Sequence, residues 1–184
     1  MRVLTGQAKG TRLRAPGRAQ VRPTSSRVRS ALFSLLPLGS LEGMRVLDLY
    51  AGTGALGIEA LSRGAASVDF VERGRRQCTM IRENLATARL RERTQVYCLS
   101  AHKALSTVAG VYDLVLLDPP YEAERVEELL ASLAASELLS AQATIVLEHA
   151  WRNGVIDAPP GLVLQQTRRY GDTALTFYTR SEPS

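Results

Sequence analysis

Residues 45–57 read RVLDLYAGTGALG, an apolar run that passes directly into a glycine-rich loop. The run predicts a buried strand from Arg45 to Leu49, interrupted only by Asp48. Apolar residues at helical spacing follow the loop and predict a helix. A strand, a tight turn and a helix in this order begin a βαβ unit, so we expect a parallel sheet.

The same alternation continues along the chain. Compact apolar runs predict further strands at Ser67 to Val71, Thr94 to Leu99, Tyr112 to Leu117 and Thr144 to Leu147. Helical stripes separate these runs, one of them from about Gln77 to Ala88. Leu162 to Thr167 and Leu175 to Thr179 flank a Gly171-Asp172 turn signal and predict an antiparallel hairpin. The predicted fold class is α/β, with a mainly parallel sheet, helices on both faces and a C-terminal antiparallel hairpin.

Acidic residues and glycines stand where the predicted strands end, and parallel sheets bind ligands at that edge. Glu72 follows Gly54 by 18 residues and is placed to accept two hydrogen bonds from ribose hydroxyls. We therefore predict a nucleoside-cofactor site. Its expected residues are Asp48, Ala51, Gly52, Thr53, Gly54, Glu72, Ser100 and Ala101. Because Gly52, Gly54 and Gly57 also fit the G-x-G-x-x-G pattern, spacing alone leaves a dinucleotide-dependent dehydrogenase open.

A second motif, Asp118-Pro119-Pro120-Tyr121, follows an apolar strand and decides between these cofactors. It has no evident part in hydride transfer, but it suits methylation of an amino group. The Asp118 carboxylate and the Pro119 carbonyl can each accept one N–H of an exocyclic base amine, which draws its nitrogen toward tetrahedral geometry. Tyr121 can stack on the extruded base. We predict S-adenosylmethionine as the cofactor, and Asp118, Pro119 and Tyr121 as the catalytic residues.

The positive charge is concentrated at the amino terminus. Residues 1–41 carry eight cations and no Asp or Glu, whereas the remainder carries 15 cations against 18 acids. Such a segment is attracted to a polyphosphate, and the attraction weakens with salt. We predict a basic RNA-contacting arm at residues 1–40, packed on a catalytic domain at residues 41–184. The expected RNA-binding residues are Arg2, Lys9, Arg12, Arg22, Thr24, Arg27 and Arg29.

The arm has a recognisable local pattern. Two strand-like pieces, Arg2 to Thr5 and Thr11 to Leu13, could form a small hairpin. A helix follows, with Thr24 or Ser25 as its N-cap. Its predicted apolar face leaves Arg27 and Arg29 to project elsewhere, and is formed by Val28, Ala31, Leu32 and Leu35.

Length and composition limit the possible classes of protein. A chain of 184 residues with 45% hydrophobic residues can bury one ordinary core. Cys78 and Cys98 are 20 positions apart without a C-x-x-C partner or a histidine cluster, so we expect reduced, buried thiols and no zinc site. The sequence shows neither a signal peptide nor an apolar run that could span a bilayer. We expect a soluble, cytoplasmic monomer that binds no metal.

The motifs are joined by further segments along nearly the whole chain, which are RVLTG (2–6), KGTRL (9–13), RPT (22–24), RVR (27–29), LF (32–33), EALSRGA (59–65) and NL (84–85). Together they resemble the RsmD-type 16S ribosomal RNA guanine-N2 methyltransferases. The arm segments are the specific part, because many amino-methyltransferases share the glycine loop and the Asp118 motif. The resemblance implies a Rossmann-like class I fold with a seven-stranded sheet. It also implies methylation of one guanine N2 in 16S ribosomal RNA, within a small-subunit particle.

One position departs from this resemblance. Many class I relatives carry an acid after the third strand to contact the adenine amine, whereas this chain has Ser100-Ala101, so a hydroxyl or the Ala101 backbone would serve instead. His102 and His149 are left out of the catalytic set because this chemistry needs no imidazole base. The Trp151 and Arg168-Arg169-Tyr170 cluster either contacts RNA or packs on the surface.

Two other classes of function stay open. A DNA or protein-glutamine amino-methyltransferase could use the same pocket, although glutamine-modifying relatives typically carry Asn where this chain has Asp118. The basic arm also has no evident use on a peptide. A non-catalytic ribosome-assembly factor could keep the fold without turnover, but a pure RNA binder has no need of Gly52, Gly54 and Glu72. Binding of S-adenosylmethionine would separate that class from the enzymes.

Overall fold

The computed structural model describes residues 1–15, 25–36, 41–120 and 126–181. The strands in these ranges are β1 (Arg45–Leu49), β2 (Ser67–Val71), β3 (Thr94–Tyr97), β4 (Tyr112–Leu117), β5 (Leu139–Ala150), β6 (Leu162–Tyr170) and β7 (Thr173–Arg180). The helices are α1 (Ser26–Leu35), α2 (Ala55–Ser62), α3 (Arg75–Ala88), α4 (Ala101–Ala104) and α5 (Val126–Ala134). Short 3-10 turns lie at Arg91–Arg93 and Trp151–Asn153.

The strands form one sheet of seven in the order β3-β2-β1-β4-β5-β7-β6. Strands β1 to β5 are parallel, and β7 runs antiparallel between β5 and β6. This arrangement confirms the predicted α/β, Rossmann-like fold with a C-terminal antiparallel hairpin. Because β1 to β5 point the same way, their last residues meet at one side of the sheet, called the carboxyl edge below.

The core lies on both faces of the sheet. Val46 and Leu114 belong to the buried cluster shared with α1, α2, α3 and the arm. Their neighbours Leu47 and Val115 belong to the cluster on the opposite face, shared with α4 and α5. Both sides of these strands must therefore be apolar, which explains why they appear in the sequence as continuous apolar runs.

The strand bounds agree best with prediction in the centre of the sheet. The predicted ranges of β1, β2 and β4 are those of the structure, whereas β3 ends two residues earlier, at Tyr97. Strand β5 extends well beyond the predicted segment, since it begins at Leu139 and ends at Ala150. Its first part includes the exposed Gln142, so an apolar pattern alone does not reveal it. The short helix α4 was not predicted.

The two predicted pieces of the arm pair in antiparallel fashion, with one bridge between Arg2 and Arg12. Val3 N–H donates to the Thr11 carbonyl at 3.0 Å, and Leu13 N–H donates to the Met1 carbonyl at 2.9 Å. The arm also packs on the end of α2. Gln7 N–H donates to the Ser62 carbonyl at 2.8 Å. Gly6 has φ 78°, and a Cβ there would lie 1.6 Å from the same carbonyl oxygen. Only glycine permits this approach, so the turn between the two pieces packs directly against the core.

Helix α1 begins as predicted after Ser25, whose Oγ accepts the Val28 N–H at 3.1 Å. Thr24, the other predicted N-cap, lies outside the described residues. The predicted division of the chain after residue 40 stays a prediction. In the part of the chain that the structure describes, even the longest helix, α3, has 14 residues, and none is long and apolar enough to cross a bilayer.

The prediction of reduced, buried cysteines is wrong about the redox state of both residues and about the burial of Cys98, whereas Cys78 is buried as predicted. Cys78 and Cys98 form a disulfide with their Cα atoms 6.2 Å apart, and Cys98 is exposed. The two residues meet because α3 packs beside β3, so the first turn of the helix lies next to the end of the strand. This proximity is tertiary, and the spacing of 20 residues gives no sign of it.

Candidate active site at the carboxyl edge of the sheet

The glycine loop follows β1 and is hydrogen-bonded to the end of the neighbouring strand β2. Ala51 N–H donates to the Val71 carbonyl at 3.0 Å, and Gly54 N–H donates to the Ala51 carbonyl at 2.7 Å. Glu72, directly after β2, accepts the Gly52 N–H at 3.0 Å through Oε2. The loop is therefore held in place by backbone bonds and by the carboxylate predicted to bind ribose.

These hydrogen bonds use only part of the acceptor capacity of the Glu72 carboxylate. Its other oxygen, Oε1, accepts the Gly74 N–H at 2.8 Å. A carboxylate offers about four acceptor sites. Because the Glu72 side chain is half-buried, each oxygen keeps an acceptor site for a ribose hydroxyl. The geometry of Glu72 therefore fits its predicted role.

Asp48 is fully buried under the glycine loop. Oδ2 accepts the Gly57 N–H at 2.9 Å, whereas Oδ1 has no hydrogen-bond partner. The pKa of Asp48 is raised to about 8, mainly by burial, with the Gly57 bond lowering it and the charges of Asp118 and Glu72 adding to the rise. The carboxylates of Asp118 and Glu72 therefore lie close enough to Asp48 to disfavour its ionisation.

Gly57 is the third glycine of the G-x-G-x-x-G pattern. A Cβ at this position would lie 2.3 Å from a ring carbon of Phe70 on β2. The glycine thus allows α2 to pack closely on the sheet, which is the role that this position has in nucleotide-binding folds. The third glycine of the G-x-G-x-x-G pattern is therefore explained by the packing of α2 on the sheet. It does not indicate which nucleoside cofactor the loop binds.

The Asp118 motif begins where β4 ends. Asp118 N–H donates to the Leu49 carbonyl at 3.4 Å, so the motif stands beside the end of β1. Pro119 is buried and Pro120 is exposed. A small cavity next to them is lined by Pro119, Pro120, Val126, Glu127, His149, Ala150, Asn153 and Ile156. Tyr121, the predicted stacking residue, lies outside the described residues.

The two residues predicted to hold the adenine have local structural roles. Ser100 is exposed and caps α4, where its Oγ accepts the Lys103 N–H at 3.3 Å. The hydroxyl hydrogen of Ser100 is not used in that bond. Ala101 is buried in the core cluster beneath α4. Both lie after β3, at the carboxyl edge, as the sequence predicts.

The predicted RNA-binding residues divide into three groups. Arg2, Lys9, Arg12 and Arg27 are exposed. Arg22 and Thr24 lie outside the described residues. Arg29 was expected to project away from the apolar face of its helix, and this expectation is wrong, because its side chain is 1% exposed. We therefore remove Arg29 from the candidate RNA surface.

Arg29 instead joins the arm to the core. Its Nη2 donates to the Arg2 carbonyl at 2.6 Å, and its Nε lies 4.0 Å from Glu59 Oε2. Burial lowers the pKa of Arg29, and the charge of Glu59 counteracts this lowering. A buried cation must be paired to remain stable, so Glu59 is the group that keeps Arg29 in the interior.

Asn84 joins the arm to the glycine loop, a role that the sequence did not predict. Its Nδ2 donates to the Thr53 carbonyl at 2.9 Å and to the Arg14 carbonyl at 3.1 Å, while its Oδ1 accepts the Arg14 N–H at 2.7 Å. One feature of the sequence could have indicated this role: Asn84 is a polar residue on the apolar face of α3, between the buried Ile81 and Leu85.

His149 is buried beside the cavity and makes two hydrogen bonds. Its Nδ1 donates to the Ala150 carbonyl at 3.2 Å, so Nε2 accepts from the Thr176 hydroxyl at 2.8 Å. Burial lowers the pKa of His149, which favours this neutral form. Both ring nitrogens of His149 are therefore used in hydrogen bonds to groups of the protein itself. Among the described residues, no group of three or more His, Cys, Asp or Glu could hold a metal ion.

The shifted pKa of Asp48 leads to a prediction about stability. From the ordinary value of 3.8 up to about 8, the folded protein keeps a proton that the unfolded chain has lost. The free energy of unfolding therefore falls as the pH rises through this window. Asp48→Asn can still accept the Gly57 N–H but cannot titrate, so its free energy of unfolding should fall less. Urea unfolding at about pH 5 and about pH 8 measures this, and parallel profiles for the two proteins would contradict it.

A protein-family model described as Conserved hypothetical protein 95 matches residues 1–179. The chain is 34% identical over 183 residues to the putative rRNA methyltransferase YlbH of Bacillus subtilis, which covers 98% of this chain and 99% of the relative. It is 32% identical over 180 residues to ribosomal RNA small subunit methyltransferase D of Escherichia coli, which covers 98% and 90% of the two chains.

Solved structures resemble the whole chain. The putative methyltransferase yhhF from Escherichia coli superposes with a TM-score of 0.87 at 32% identity, covering 100% of this chain and 99% of the other. A putative methylase from Haemophilus influenzae superposes with a TM-score of 0.80 at 27% identity, covering 99% of both chains. The similarity therefore includes the arm as well as the sheet.

Proposed function

The chain belongs to the Conserved hypothetical protein 95 family, and on this basis we propose that it methylates the exocyclic N2 amine of one guanine in 16S ribosomal RNA. S-adenosylmethionine is the methyl donor. The observation that carries the proposal is the adjacency of two motifs: the glycine loop follows β1, and the Asp118 motif follows the neighbouring β4. A donor site and an amine site thus lie side by side at the carboxyl edge.

The residues at this edge fit a cationic methyl donor. Asp48 Oδ1 is a buried carboxyl oxygen without a hydrogen-bond partner, and the negative charges of Glu72 and Asp118 lie near it. S-adenosylmethionine supplies an activated methyl group on a positively charged sulfur, so the protein's main task is alignment. We assign Gly52 and Gly54 to close backbone approach, and Glu72 to the ribose.

Asp118 and Pro119 are assigned to the target amine. The Asp118 carboxylate and the Pro119 carbonyl accept its two N–H bonds, so the nitrogen lone pair is freed from the ring and directed toward the methyl group. Positive charge grows on this nitrogen during transfer, and the Asp118 carboxylate supplies negative charge where it is needed. Asp118 does not have to remove a proton before the attack.

Within methylation of ribosomal RNA, the proposal specifies the N2 amine of guanine as the target. It is supported by the RNA-directed names of the full-length relatives and by the cationic arm. We also propose that the protein acts as a monomer on a small-subunit particle. The alternatives are a DNA or glutamine amino-methyltransferase and a non-catalytic assembly factor, and each predicts a different labelled product or none.

The direct experiment uses S-adenosylmethionine with a labelled methyl group. The protein is incubated with small ribosomal subunits from cells that lack the activity, and separately with protein-free 16S RNA, duplex DNA and a glutamine-containing peptide. We expect label on a single guanine N2 of the RNA. Label on another base amine would overturn the N2 assignment, and label on DNA or peptide would overturn RNA as the substrate. Absence of cofactor binding would favour the assembly factor.

The cationic arm leads to a second prediction. Arg12 and Arg27 are exposed, so the double replacement Arg12→Gln and Arg27→Gln should flatten the salt dependence of RNA binding without affecting the core. The slope of log K against log salt should fall by roughly 0.7 to 0.9 for each phosphate that the variant no longer neutralises. Lys103→Gln is the control, since this exposed cation lies on α4, on the opposite face of the sheet. Equal slopes for the double variant and the parent would contradict the prediction.

A further inference from the structure

Aromatic and cationic side chains cluster at the tip of the C-terminal hairpin. We call them the hairpin-tip cluster, which consists of Trp151, Arg152, Arg168, Arg169 and Tyr170. The three arginines are exposed, and the two aromatic residues are half-buried. The proposed reaction uses none of them.

The cluster lies at the carboxyl edge, beside the candidate amine site. Strand β5 ends at Ala150, which pairs with Thr173, and Thr173 in turn pairs with Tyr170 across the hairpin. Trp151 N–H donates to the Asp172 carbonyl at 2.8 Å, which fixes the 3-10 turn against the hairpin tip. Ala150 and Asn153 also line the cavity beside Pro119 and Pro120. The cluster is therefore continuous with that cavity.

Two of the three cations of the cluster, Arg168 and Arg169, are held in place by uncharged groups. The Arg169 guanidinium lies 5.1 Å from the centre of the Trp151 ring, and its Nε donates to the Gly171 carbonyl at 2.8 Å. Arg168 Nε donates to the Gln166 amide oxygen at 3.1 Å. Within the described ranges, no ion pair involves Arg152, Arg168 or Arg169. Their charge is thus available to an external anion.

Protection of the sheet edge would be a simpler explanation of these charges, because cations on an edge strand discourage aggregation. Their positions argue against it. Strand β6 is the edge strand, yet its first half carries no charge and includes Val163, which is 44% exposed. The arginines occupy only the end of β6 beside the site, and Trp151 and Arg152 do not belong to this strand.

We propose that the hairpin-tip cluster binds the single-stranded RNA next to the extruded target base, an inference that rests on the proposed function. A cation stacked on an indole forms a flat platform for a neighbouring base, as in single-strand binding proteins. The remaining arginines bind the adjoining phosphates. Along the carboxyl edge the order is then cofactor at β1 and β2, target base at β4 and β5, and flanking RNA at the hairpin tip.

The test compares Trp151→Ala, Trp151→Phe and the double replacement Arg168→Gln and Arg169→Gln in the full chain. Each variant is titrated with protein-free 16S RNA, and methyl transfer to small subunits is measured with labelled S-adenosylmethionine. We expect Trp151→Ala to weaken RNA binding by about 5- to 150-fold. Trp151→Phe should retain most of the affinity. The double variant should flatten the salt slope by roughly 1.5. For Trp151→Ala and the double variant, KM for the RNA should rise, while cofactor affinity stays that of the parent in every variant.

The control is Arg91→Gln, because Arg91 is an exposed cation in the turn before β3, at the opposite edge of the sheet. Unchanged RNA affinity and salt slope in the folded Trp151 and arginine variants would overturn the inference. So would a loss confined to ribosomal particles with unchanged binding to protein-free RNA, since the contact would then be with a ribosomal protein. A parent protein that transfers no methyl group contradicts the proposed function itself, whereas a parent that methylates normally beside unaffected variants contradicts only this inference.

Discussion

Asp118→Ala should lower kcat for methyl transfer by about 100- to 1,000-fold, the range seen when one preorganised electrostatic contact to a developing charge is removed. Under the proposed assignment, the target nitrogen loses the acceptor that holds one of its hydrogens and a nearby negative charge as positive charge develops. Cofactor affinity should stay close to that of the parent. Removal of the Asp118 charge also lowers the pKa of Asp48, so the buried acid beneath the cofactor loop ionises more readily.

Two variants separate charge from hydrogen bonding in this experiment. Asp118→Asn keeps one acceptor oxygen but no charge, so its kcat should lie between those of the parent and Asp118→Ala. Glu127→Gln is the matched control, because Glu127 is an exposed acid that lines the same cavity. Single-turnover rates at saturating cofactor provide the measurement. Rates for Asp118→Ala within twofold of the parent would exclude the assigned role.

The central sheet and its cofactor edge could be predicted from the sequence because their signals are local. Strands β1, β2 and β4 are buried on both faces and therefore appear as continuous apolar runs with clear ends. Once the strands are parallel, the residues that follow them must share one edge. The positions of Glu72 and Asp118 follow from the strand ends and need no knowledge of long-range contacts.

Contacts between distant residues could not be predicted from the sequence. The predicted apolar face of α1 contacts the core, with Val28 and Leu32 buried and Ala31 and Leu35 partly buried, but the buried side also includes Arg29 and Phe33. The face that packs on the core is therefore wider than the predicted apolar stripe. A buried arginine counts as polar in any periodicity argument, and the acid that allows its burial stands 30 residues away, on α2. The disulfide was missed for the same reason.

Glu59 is the centre of the contact between the arm and the core. It is fully buried, and its oxygens accept the Leu4 N–H at 2.8 Å and the Thr5 N–H at 3.1 Å. Arg63 Nε donates to the same carboxylate at 2.9 Å, and its guanidinium lies 4.6 Å from the centre of the Phe33 ring on α1. One acid thus joins the first residues of the chain to both α1 and α2.

Glu59→Ala should therefore lower the free energy of unfolding by about 3 to 5 kcal/mol, because it leaves the Arg29 cation buried without its counter-charge and two backbone N–H groups without an acceptor. The matched control is Glu83→Ala, which breaks another ion pair between arm and core, with Arg14. That pair is exposed, with 71% and 44% of its side chains accessible, so its loss should cost less than about 1 kcal/mol. Urea unfolding of the parent and both variants measures the two costs. Similar small losses in the two variants would mean that the arm does not depend on the buried acid, and that Arg29 can leave the interior without penalty.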